Sequence, residues 1–227
     1  MKRTGGTDEQ KRRAGESAAD AVDDGTVVGL GTGSTAATAI RELGRRVDSG
    51  LDIRGIPTSY ESRQAAREAG IPLVSLAEAT PDIAIDGADQ VAGFDLIKGG
   101  GAAHAREKLV DAAADRFLVV ADGTKLAATL DAPVPIEVLP DAEPVVSADL
   151  ETLGGSPTLR DAERKDGPVV TDNGNLVVDC EFGAIADPAA LAADLAGIPG
   201  VVEHGLFVDL ADEIHVGTET GVDVTER

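Results

Sequence analysis

The chain has 227 residues, is 42% apolar and contains no uncharged run of the roughly 18 residues that a membrane helix requires, so a soluble globular protein is expected. Forty-one acids against 20 bases give a formal charge of −21, and aromatic residues make up only 2%. Such a surface repels nucleic acid and anionic membrane and offers few rings for base stacking, which excludes both as partners.

The bases are 14 Arg and only 6 Lys. Excess acid with scarce lysine fits a salt-rich cytoplasm, where the screening length falls to roughly 3 Å at 1 M. Lysines that survive such thinning, at Lys11, Lys98, Lys108 and Lys125, therefore draw attention. The charged N-terminus MKRTGGTDEQKRR has no apolar segment, so no secretory signal is expected and the cytoplasm is the default location. One cysteine, Cys180, leaves no disulfide framework, and His104, His204 and His215 are too scattered for a metal site.

In chain order, Thr7-Asp8-Glu9-Gln10 matches a capping box and predicts a helix to about Val22, stopped by Asp23-Asp24-Gly25. Lys11 lies in line with its stripe Ala14, Ala18, Val22, and reads either as a snorkelling lysine or as a cation held over the next loop. A strand at Thr26-Val27-Val28 enters Gly29-Leu30-Gly31-Thr32-Gly33-Ser34-Thr35, and a helix follows from Ala36 to about Val47. Strand, glycine-rich turn and helix make a phosphate cradle, with backbone N–H groups and hydroxyls as donors. Ser34 stands where a dinucleotide fingerprint has its third glycine, and the next strand, Ile53 to Ile56, ends in Pro57-Thr58-Ser59 without an acid. That pattern suits a monophosphate better than a dinucleotide.

A helix capped by Thr58 or Ser59 runs to about Ala69, and strands are predicted at Leu73 to Leu76 and Asp82 to Ile85, the second ending in Asp86-Gly87-Ala88-Asp89. Ligands of open parallel sheets sit beyond such carboxyl ends. Lys98 then precedes three glycines and a helix predicted from Ala102 to about Arg116. One of its rows, His104, Lys108, Asp111, Asp115, reads as the solvent side. Another, Ala103, Glu107, Val110, Ala114, is apolar except for Glu107. A partly desolvated carboxyl on that row is drawn towards the range of a general base.

Arg116 to Ala121 reads as a buried strand that ends near Lys125, and Ala132-Pro133-Val134-Pro135 marks a change of domain. Beyond it come a strand (136 to 139), a helix (144 to 153), a strand (157 to 161), a hairpin of Val169-Val170 and Leu176 to Val178 around Asn173-Gly174, a helix (188 to 196) and a strand (201 to 207). This βαββαβ sequence is ferredoxin-like. The tail reads as strands that rejoin the first domain. The fold class is thus α/β, a Rossmann-like doubly wound sheet domain (1–131 plus 204–227) with a smaller α+β domain (132–203).

GLGTGSTA, DGAD, KGGGAAHAREK, PIEVLP, VVTDNGN and GIPGVVEHGLF, in this order, resemble the type A ribose-5-phosphate isomerase family over nearly the whole chain. The resemblance implies a metal-free and cofactor-free aldose–ketose isomerase acting on a small sugar phosphate through a cis-enediolate, in a homodimer or homotetramer. Carried over by residue, it implies Glu107 as the base. Asp86, Asp89 and Lys98 would serve ring opening and the oxyanion, and Gly87 and Ala88 would line the site beside them. Thr32, Gly33, Ser34 and Thr35 would form the substrate loop, with Lys11 and Lys125 as further contacts and Gly99, Gly100 and Gly101 as backbone donors. Gln90 departs from the acid that often follows DGAD, and His104 from a nonpolar residue. Related phosphosugar folds include deaminases, lactonases and sensors attached to DNA-binding domains. Ammonia release would mark a deaminase, a basic helix-turn-helix a sensor, and binding of NAD(H) a dinucleotide-dependent oxidoreductase.

Overall fold

A computed structural model describes residues 5–227. In chain order its elements are α1 (Asp8–Asp20), β1 (Val27–Leu30), α2 (Ala36–Asp48), β2 (Arg54–Pro57), α3 (Tyr60–Glu68), β3 (Ile83–Gly87), β4 (Gln90–Ala92) and β5 (Asp95–Ile97). Then come α4 (His104–Asp111), β6 (Arg116–Asp122), β7 (Val134–Val138), α5 (Glu143–Thr152), β8 (Ser156–Leu159) and β9 (Leu176–Glu181). The last are α6 (Pro188–Ala196), β10 (Val201–His204), β11 (Leu206–Phe207), β12 (Glu213–Gly217) and β13 (Val222–Glu226). None of the described helices is long and apolar enough to cross a membrane.

By contacts the chain divides into two units. The larger holds the described residues up to Ala88, with Arg106–Leu126 and Asp209–Arg227. Its six-stranded sheet has the order β13-β12-β6-β3-β1-β2, parallel except for β13 at the edge. The strands are short and almost continuously apolar because helices cover them, and Val28, Leu30, Ile85, Leu118 and Val120 are at most 2% exposed. α1 starts as its sequence demands: Thr7 Oγ1 accepts from Gln10 N–H at 3.2 Å and Gln10 Oε1 accepts from Thr7 N–H at 2.8 Å. Its stripe Ala14, Ala18, Val22 is fully buried. β1 lies between β2, which follows it, and β3, so the direction of winding reverses there. In such sheets this switch point is where loops part to admit a ligand.

Leu73 to Leu76 is not a strand. Leu73 makes a single bridge to Gly55, Val74 N–H donates to Gly55 O at 3.0 Å, and Ser75 then turns away, its N–H and hydroxyl both on Glu78 Oε2.

The smaller unit comprises Asp89–Ala105 and Ala127–Val208. Its antiparallel sheet has the order β10-β7-β9-β8, and with α5 and α6 in the connections this is the ferredoxin-like arrangement. Val134, Ile136, Val138, Val146, Leu150, Val178 and Leu195 form its core, all fully buried. Within that core Glu137 is also 0% exposed. Its Oε1 accepts from Thr171 Oγ1 (2.9 Å), Asn173 Nδ2 (3.0 Å) and Asn175 Nδ2 (2.8 Å), so the PIEV and TDNGN stretches are two halves of one polar network around a buried carboxylate.

Two expectations change here. Val169-Val170 is not a strand, since only Val170 bridges Leu176, and β9 pairs along its length with β8 and β7. The segment 201–207 is two strands in two sheets, split at Gly205, whose N–H donates to Pro135 O at 2.7 Å and whose carbonyl accepts from Lys98 N–H at 2.8 Å. β11 instead completes a three-stranded sheet with the hairpin β4 and β5, a segment for which no element was predicted. Gln90 anchors that hairpin: fully buried, it donates to Asp131 Oδ1 at 2.6 Å and accepts from the N–H groups of Asp131 and Ala132.

Candidate active site

In the larger unit the loops after β1 and β3 are tied together by one carboxylate. Asp86 is fully buried, and its Oδ1 accepts from Thr32 N–H at 2.9 Å and Gly87 N–H at 2.6 Å. The approach is so close that a Cβ on Gly31 would lie 2.2 Å from Asp86 Cγ, which leaves room for glycine alone. Thr32 Oγ1 turns inward, 2.8 Å from Thr58 Oγ1 and 2.7 Å from Ser59 Oγ. Thr58 and Ser59 thus brace the loop, a role their place after β2 did not announce. Gly33 has φ 108°, Ser34 is exposed, and Thr35 begins α2 with its side chain 8% exposed. Ser34 and Lys11 meet across a cleft of about 570 Å³ between α1 and α2, with Thr38 and Arg41 also on its wall.

At the end of β6, Asp122 caps the turn Gly123–Lys125, accepting from Thr124 N–H at 3.0 Å, and Lys125 is 7% exposed. Glu107 on α4 is 4% exposed and sits on the row of Ala103 (7%) and Val110 (3%), as its spacing predicted.

The opposite row of α4 corrects the sequence reading. His104 is 0% and Asp111 2% exposed, Lys108 is half-buried, and of the four residues only Asp115 faces solvent. His104 Nε2 lies 3.3 Å from Glu203 O, and its ring fills the space beside Gly99, where a Cβ would come within 2.7 Å of Nδ1. The helix is also shorter than predicted. Ala102 takes φ 58°, outside the helical region, and after Asp111 the chain turns through Ala112–Ala114 into β6.

In the smaller unit Asp89 is half-buried, and its Oδ2 accepts from Gly100 N–H at 2.6 Å. Lys98 is 2% exposed, with Nζ 5.2 Å from the centre of the Phe207 ring, where the negative π-face suits a cation. Gly99 has φ 106°, and its carbonyl closes a turn with Ala102 N–H at 3.0 Å. Gly101 is exposed. Phe207 and Arg160, whose Nη1 donates to Gly99 O, lie about 60 to 110 residues from these partners in sequence, and no local pattern marks them.

Each unit thus presents its own polar loop system on glycine-rich backbone. The larger holds a buried carboxylate, a buried lysine and hydroxyls, and the smaller a buried lysine with backbone N–H groups. Carboxylate, ammonium and backbone donors are the set needed to move a proton beside a developing oxyanion.

The ribose 5-phosphate isomerase A (phosphoriboisomerase A) family matches residues 54–221. A ribose-5-phosphate isomerase A of Natronomonas pharaonis is 78% identical over 224 residues, 99% of this chain and 100% of that one. Among solved structures, ribose 5-phosphate isomerase A of Methanocaldococcus jannaschii is similar with 45% identity and a TM-score of 0.94, covering 98% of this chain and 100% of its own. A D-ribose-5-phosphate isomerase in complex with phospho-erythronic acid shares 43% identity at a TM-score of 0.95, with 98% and 100% covered.

Proposed function

The chain belongs to the ribose 5-phosphate isomerase A family, and from that premise we propose that it interconverts D-ribose 5-phosphate and D-ribulose 5-phosphate through a cis-enediolate, with Glu107 as the base. The observation that carries the assignment is the burial of Glu107 to 4% on α4, at the position of the family's KGGGAA-x-x-REK segment.

Asp86, Asp89 and Lys98 open the sugar ring. Glu107 then takes the proton from C2 of the open aldose, and the electron pair forms the C1–C2 double bond while charge collects on O1. The proton of O2 passes to O1, Glu107 returns its own proton to C1, and the ketose results. Lys98 and the backbone N–H groups of Gly99 to Gly101 stabilise the oxyanion. The loop Thr32, Gly33, Ser34 and Thr35, with Gly87, Ala88, Lys11 and Lys125, holds the phosphate and hydroxyls. Lysine charge there offsets a surface of −21 that would otherwise repel a dianion. The phosphorylated acid bound by the 43% identical neighbour supports a sugar-phosphate ligand.

No step requires a metal. The test is conversion of ribose 5-phosphate by the purified protein in excess EDTA at high salt. Ketose formation at an undiminished rate is expected, and its absence would sink the reading.

A further inference from the structure

Three consecutive glycines give the segment after Lys98 little stiffness of its own, because glycine has the most backbone freedom to lose on ordering. Yet both sides of this segment are held. On one side Gly100 N–H donates to Asp89 Oδ2 at 2.6 Å. On the other, Arg160 Nη1 donates to Gly99 O at 2.9 Å and to Gly100 O at 3.3 Å. Arg160 is itself fixed: Nε donates to Asp179 Oδ2 at 2.7 Å, Nη2 donates to Asp179 Oδ1, and the two side chains are 13% and 18% exposed. Arg160 follows β8 directly, and Asp179 stands on the neighbouring strand β9.

The arrangement uses the whole guanidinium fork. Two nitrogens take the carboxylate side by side and the third reaches the carbonyls, which a single ammonium cannot reproduce. Peptide planarity turns this grip into a direction. In a trans peptide the N–H points opposite to the preceding carbonyl, so holding Gly100 O against Arg160 turns Gly101 N–H to the other side. Gly101 is exposed, so that N–H is open to a ligand.

We infer that Arg160 is a positioning residue of the isomerase, which through the Gly99 and Gly100 carbonyls aims the Gly101 N–H, with Asp179 holding the guanidinium in place. The inference rests on the reading that this loop contacts the substrate. A preorganised donor acts mainly on the oxyanion of the transition state, so loosening it lowers kcat more than it raises KM.

The experiment compares wild type, Arg160→Lys and Asp179→Asn by steady-state kinetics, melting temperature and amide hydrogen exchange of Gly100. For Arg160→Lys, kcat is expected to fall about tenfold or more, as for partial loss of an oxyanion donor. KM should stay within about threefold, and exchange at Gly100, whose N–H is bonded to Asp89, should accelerate in a folded protein. Asp179→Asn, which keeps an oxygen acceptor, should lie between. A folded Arg160→Lys with kcat within about twofold of wild type would overturn the inference. Should Arg160→Lys not fold, unchanged kcat and unchanged exchange in Asp179→Asn would do so. A wild type that fails to isomerise ribose 5-phosphate would instead remove the reading beneath it, which separates the two failures.

Discussion

His215, on β12, is 3% exposed and has a polar neighbour at each ring nitrogen. Ser17 Oγ of α1 is 2.9 Å from Nδ1, Glu213 Oε2 is 3.2 Å from Nε2, and Glu213 also binds Arg116, with Glu226 of β13 acting at longer range. Burial pushes the imidazole below its ordinary 6.5, and the charge of Glu213 only partly opposes it. The native state therefore resists a proton that the unfolded chain accepts. Below pH 6.5 stability should fall as pH falls, by at most about 1.4 kcal/mol per pH unit from this group, until His215 protonates in the native state. Denaturant unfolding between pH 7 and 5 checks this, with His215→Gln expected to flatten the slope; an equal slope in the variant would contradict it. Elsewhere single residues were legible where spacing and scarcity agreed. Glu107 stood out from its apolar row, and Lys98 and Lys125 from a lysine-poor composition, and all three are buried. His104 and Asp111 were misread because a helical row shows which side chains share a face, not what covers that face.

Strands and helices with a continuous apolar core face were readable within a residue or two. β1, β3 and β6 lie close to where their Val, Ile and Leu runs placed them, and α6 spans Pro188–Ala196 as predicted. The failures lie where long-range bonds decide. β4 and β5 have three residues each, too few to show alternation, and they exist because β11 and the buried Gln90 secure them. The apolar run 201–207 has no local break strong enough to divide it, and Gly205 divides it by bonding to Pro135 and Lys98. The carboxylate of Glu137 would be costly in a core, and three donors supplied from around Asn173-Gly174 converge on its Oε1 and offset part of that cost. That network explains two family motifs through folding rather than catalysis.

For the whole molecule, −21 on 227 residues is a self-repulsion that opposes compaction at low ionic strength. Since the screening length falls from about 10 Å at 0.1 M to about 3 Å at 1 M, the melting temperature should rise with KCl over that range. A flat or falling curve would remove the reading of the acid excess as salt adaptation. Fold class and family were legible across the chain because glycine-rich turns after strands leave long, ordered signatures. The bracing of the loops was not, because Asp86, Thr58, Ser59 and Arg160 act through contacts across the sequence. The chemistry proposed for this molecule depends above all on one carboxylate, and kcat of purified Glu107→Gln on ribose 5-phosphate tests it most directly. The variant should melt near wild type and lose about 10²–10⁴-fold in kcat, the usual contribution of a positioned base. A folded variant that isomerises within a few-fold of the wild-type rate would contradict the account.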